Sequence, residues 1–83
     1  MPYRFHPTPA RAADLREALA AVGCRARVAR QRTAFRIVVA NAAERDLAAA
    51  AAVMSGFGGP VGGPPVRNAH VELFVYDWRG EAA

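Results

Sequence analysis

An α+β domain is what the sequence predicts: an antiparallel sheet with two helices on one face, in the order β-α-β-β-α-β. Three observations carry that expectation. Apolar residues recur at helical spacing in two stretches, each opened by a capping residue. Between those stretches, and again near the C-terminus, the period falls to two, as strands require. The length of 83 residues suits one domain, 1–83, and 53% apolar composition excludes wholesale disorder.

Residues 3–6 are a short aromatic-bearing run that reads as the first strand. Thr8 then stands where a helix N-cap belongs, with Pro9 at the first helical position. Ala12, Leu15, Leu19 and Val22 supply the apolar face of this helix, Arg11, Asp14 and Glu17 its wet face, and Gly23 its left-handed stop. From Cys24 the pattern changes. Ala26 and Val28 alternate with Arg25, Arg27 and Ala29, and then Phe35, Ile37 and Val39 alternate with Ala34, Arg36 and Val38. This predicts a hairpin that turns within residues 30–33 without a glycine or proline.

Asn41 caps a second helix, and Glu44 three residues later completes a capping-box pattern. Leu47, Ala50, Ala51 and Met54 read as its buried face. Residues 56–68 are a Gly/Pro-rich connector, in which Phe57 is the one side chain large enough to anchor a ligand. Residues 69–78 form the clearest strand, with Val71, Leu73 and Val75 on one face and His70, Glu72, Phe74, Tyr76 and Trp78 on the other. Residues 79–83 read as a flexible tail. The order resembles the ferredoxin-like sandwich of four antiparallel strands. If residues 3–6 are not a strand, it becomes α-β-β-α-β with a three-stranded sheet.

The net charge is +4, and every basic residue is arginine. A GC-rich genome accounts for arginine in place of lysine but not for its distribution. Five of the eleven, Arg25, Arg27, Arg30, Arg32 and Arg36, fall on the hairpin. Strand parity places Arg25, Arg27 and Arg36 on the sheet face away from the helices, together with Phe74, Tyr76 and Trp78, and leaves Arg30 and Arg32 at the turn. Planar guanidinium groups suit phosphate or carboxylate, so the partner implied is nucleic acid or an acidic protein surface. Aromatics and arginines are also what protein interfaces use, which implies self-association through the open sheet face.

The architecture matches that of RNA-recognition-motif domains, although their aromatic-rich central strand is represented here by Phe35 alone, on the buried parity. A small chain with one charged face is also similar in size and style to phage-made inhibitors of nucleoprotein complexes, anti-CRISPR proteins among them. The same element order resembles ACT-type ligand-sensing domains, which bind small molecules at dimer interfaces near strand and helix junctions such as Gly23–Cys24.

The residues that carry chemistry do not assemble into a catalytic pattern, so the expectation is a non-enzyme without metal or cofactor. His6 and His70 lack the cysteine or carboxylate partners of a metal site. Ser55 is the only serine, and Asp77 and Glu72 take opposite faces of their strand. The glycines after residue 55 follow a helix instead of opening one, and no Lys–Ser/Thr pair comes after them. The lone Cys24 excludes an internal disulfide and reads as a small core residue in a cytoplasmic chain. No signal-like run opens the sequence, and no window has the 18 apolar residues of a membrane span.

Overall fold

The structure, a computed structural model, describes residues 8–59, 63–68 and 71–77. In order these form helix α1 (Pro9–Ala21), strands β1 (Arg27–Arg30) and β2 (Phe35–Val38), helix α2 (Ala42–Met54), and strands β3 (Phe57–Gly58), β4 (Val66–Asn68) and β5 (Glu72–Asp77). The expected first strand at residues 3–6 and the tail at 79–83 lie outside the described residues.

α1 starts and stops where its capping residues dictate. The Thr8 hydroxyl accepts the Arg11 amide at 3.1 Å, and Pro9 occupies the first turn, where its missing N–H costs nothing. At the other end Gly23 takes φ +74° and donates to the Ala20 carbonyl, while Cys24 donates to the Leu19 carbonyl. These are the two bonds of a Schellman stop, and they turn Cys24 back into the core beside Leu19. Val22, expected on the apolar face, is 41% exposed because it lies at the cap, past the last helical turn.

α2 is capped by Asn41, whose side-chain oxygen accepts the Glu44 amide at 2.9 Å. Its buried face differs from the expected one. Ala48, Ala49, Ala51 and Ala52 face the core, whereas Leu47 and Met54 are 41% and 86% exposed and Ala50 is also exposed. Only Ala51 of the expected set is buried. Close approach explains the choice: a helix lying tightly on a sheet has room for methyl groups there and not for Leu or Met.

All strand pairs are antiparallel. The five-stranded sheet runs β1-β2-β5-β3, with β4 also pairing to β5. β5 is thus the central strand. β3 lies opposite residues 76–77 and β4 opposite residues 72–74, so the two form successive pieces of one edge. The Gly/Pro-rich segment therefore supplies strands as well as a connector. Gly59 closes its excursion by donating to the Gly63 carbonyl, and a Cβ there would meet the Pro64 carbonyl oxygen at 1.8 Å. Only glycine permits that approach.

The core is built by Leu15 and Leu19 from α1, Phe35 and Ile37 from β2, Phe57 from β3, and Leu73 and Val75 from β5. Phe57 meets Phe35 edge to face, with centroids 5.7 Å apart, so it is a core residue and not a loop anchor. The alternation expected for both strand regions holds. Phe35, Ile37, Leu73 and Val75 are fully buried, while Arg36, Phe74 and Tyr76 point to the face away from the helices.

Candidate functional site

The register fixes which side chains share the face away from the helices. One row across the sheet consists of Arg27, Val38, Glu72 and Asn68, and the next of Ala29, Arg36, Phe74 and Val66. Tyr76 lies opposite Gly58, which offers no side chain against the ring. Arg25 precedes β1, and the exposure pattern of residues 24–29 continues its alternation, so Arg25 and Arg27 point the same way. Trp78 lies outside the described residues, as do His6 and His70.

The hairpin arginines differ in their environments. Arg25, Arg27, Arg30 and Arg32 are exposed. Arg25, Arg27 and Arg32 meet no carboxylate among the described residues. Arg30 ends β1 opposite Phe35, which gives it the parity of the helix side, and Arg32 sits in the turn closed by the Gln31 amide and the Ala34 carbonyl. Among the described residues β1 is a sheet edge, so these side chains line that margin of the sheet.

Arg36, one strand further in, is half-buried and its guanidinium holds the Glu72 carboxylate. Asn68 donates to the other Glu72 oxygen at 2.8 Å. Glu72 therefore neutralises the inner arginine and leaves the positive charge at the edge. Phe74 and Tyr76 are half-buried within the single chain, and Phe35 is wholly in the core. Among the described residues the central strands offer no fully exposed ring for stacking.

The remaining described arginines are occupied within the fold. Arg11, expected on the wet side of α1, donates to Asp77 at 2.9 Å, to Asp14 and to the Ser55 carbonyl, and its guanidinium carbon lies 4.5 Å from the Phe57 ring centroid. The Asp77 hydrogen bond raises the Arg11 pKa above its usual value. Arg16 donates to the Val28 carbonyl on the edge strand. Arg45 and Arg67 both bond Asp46, and the Arg67 hydrogen bond holds that carboxyl below its usual range. The signal for Arg11 lay in Asp77, which shares the buried parity of Leu73 and Val75 and so requires a buried cation.

Cys24 is buried, with Sγ 3.7 Å from the Glu44 carbonyl, and burial pushes its thiol pKa up. It fills the junction after Gly23. Among the described residues no group of three or more His, Cys, Asp or Glu side chains could hold a metal ion, and no helix is long and apolar enough to cross a membrane.

No known protein family, curated protein or solved structure matches the chain.

Proposed function

We propose that this protein is a non-catalytic binding module whose basic hairpin edge engages the phosphates of a nucleic acid, free or held in a nucleoprotein complex. The observation that supports this reading is the division of labour among the arginines. Arg11, Arg16, Arg36, Arg45 and Arg67 have partners within the fold, whereas Arg25, Arg27 and Arg32 stand exposed beside one edge and meet no carboxylate among the described residues. A guanidinium matches phosphate in a bidentate fork, and such contacts need no base readout. Half-burial of Phe74 and Tyr76 favours phosphate contact over base stacking. A binder of this kind acts by occupancy: it competes for the phosphates that another protein needs, which makes it an inhibitor of that protein.

For the architecture, we read α1, β1, β2, α2 and β5 as an α-β-β-α-β core to which β3 and β4 add a broken edge strand. The ferredoxin-like order would place the strand at residues 3–6 beside the inner hairpin strand, a position that β5 holds. Self-association through the open sheet face is the weaker use of that surface. Two copies meeting there would bring Arg27 against its counterpart, with Phe74 and Tyr76 already half-buried.

The test is binding of labelled single-stranded and duplex oligonucleotides, followed by fluorescence anisotropy over a range of salt. Wild-type affinity should fall steeply with salt. The Arg25→Ala/Arg27→Ala/Arg32→Ala variant should bind more weakly, with the log–log salt slope reduced by about 2–3. Absence of binding to any nucleic acid at low salt rejects the proposal and assigns the edge to a carboxylate-bearing protein surface.

A further inference from the structure

α2 turns its larger apolar side chains away from the domain. Leu47, Val53 and Met54 are 41%, 52% and 86% exposed. Ala43 and Ala50 are exposed as well. The residues Ala43, Leu47, Ala50 and Met54 follow one another at intervals of four, three and four. At about 100° per residue this confines them to one narrow stripe, across the helix from the buried Ala48 and Ala52. These intervals average about 3.7 residues, close to the helix's own period, so the stripe runs along the helix axis and suits a second helix laid beside it.

The stripe is complementary to itself. When a second α2 is laid antiparallel about a two-fold axis between positions 48 and 49, Leu47 of each copy meets Ala50 of the other, and Met54 meets Ala43. Each large side chain thus faces a small one, the self-complementarity that a two-fold interface needs. Val22 and Met54 border an apolar groove between α1 and α2, and Val53 with Pro64 and Pro65 borders another on the far side, so the seam has apolar flanks.

The charges of α2 leave room for the same occupant. Glu44, Arg45 and Asp46 are the only charges of α2, and residues 47–54 carry none. Antiparallel contact sets each charged first turn beside an uncharged last turn and opposes the helix dipoles favourably. Two chains of net charge +4 also keep their arginine-bearing sheet faces on opposite outer sides. The small, alanine-rich core gives the fold a reason to bury more apolar surface.

We propose that a second copy of this chain docks on the exposed α2 stripe, in an antiparallel register that seats Leu47 against Ala50 and Met54 against Ala43. The resulting dimer carries two basic edges. This interface is separate from the arginine edge, so either proposal can fail without the other.

The test is sedimentation of the full chain from micromolar to millimolar concentration, with far-UV circular dichroism as a check on folding. Wild type should sediment at twice the chain mass. Leu47→Glu with Met54→Glu should return it to single mass with helix content retained. Ala50→Leu alone should weaken association, because leucine then opposes leucine, and adding Leu47→Ala should restore it. A wild-type monomer at every concentration overturns the proposal, as does an Ala50→Leu variant that associates more tightly. Phe74→Glu should leave the dimer intact; dissociation by that change would transfer the interface to the sheet face and overturn the proposal.

Discussion

Arg11 lies in the first turn of α1, on the side that helical spacing gives to solvent, yet its guanidinium closes one end of the core. It bonds Asp77, whose side chain is only 7% exposed, and stacks over Phe57. Removing it leaves a carboxylate with little access to water and without the Arg11 guanidinium beside it. Arg11→Met should therefore cost about 3 kcal/mol, read as a lowered urea midpoint, and the Arg11→Met/Asp77→Leu double variant should recover part of the loss. The sequence shows Asp77 on the buried parity of β5, so the need for a cation there was legible. Which cation was not: eleven arginines were available, and only the packing of α1 across the end of β5 selects one.

At the scale of elements, the ends are set locally and the faces are not. Thr8 and Asn41 each accept the amide three residues on, and Gly23 ends α1 in the left-handed region, because these side chains act within one turn of backbone. A Cβ at Gly23 would meet nothing within 4 Å, so Gly23→Ala isolates the backbone term. It should destabilise by about 1 kcal/mol, measured by denaturant titration, with no change of fold. The buried face of α2 is a different matter. Alanine occupies residues 48–52 without interruption, so composition places no marker on the inward side, and the large residues mislead. Contact with the sheet decides the phase, since alanine lets the helix sit close. Strands β3 and β4 escaped for a related reason. At two and three residues they are too short to show a period, and only pairing along β5 defines them.

Across the whole molecule, the charge is partitioned between an outer basic edge and an inner neutralised row. Glu72 sits at the boundary, bonded by Arg36 and Asn68. Glu72→Gln removes the carboxylate that occupies Arg36 and adds a fourth arginine to Arg25, Arg27 and Arg32 for no loss of volume. Affinity for an oligonucleotide should rise, with the log–log salt slope steeper by about 1. An unchanged slope would show that Arg36 lies outside the contact. The clustering of arginines on the hairpin was evident from spacing alone, and so was the face that each strand residue would take. Their inequality was not, because it depends on Glu72, which lies 36 residues beyond Arg36 in the chain.

The sequence by itself determined the helix ends, the hairpin, the parity of both long strand regions and the location of the positive charge. Those follow from interactions within a few residues, where spacing and side-chain chemistry act directly. Tertiary structure decided the place of β5 at the centre of the sheet, the inward phase of α2, the burial of Arg11 and Phe57, and the pairing of Arg36. Each of these depends on which distant segment arrives alongside, and close packing settles it by admitting the side chains that fit and leaving the others outside.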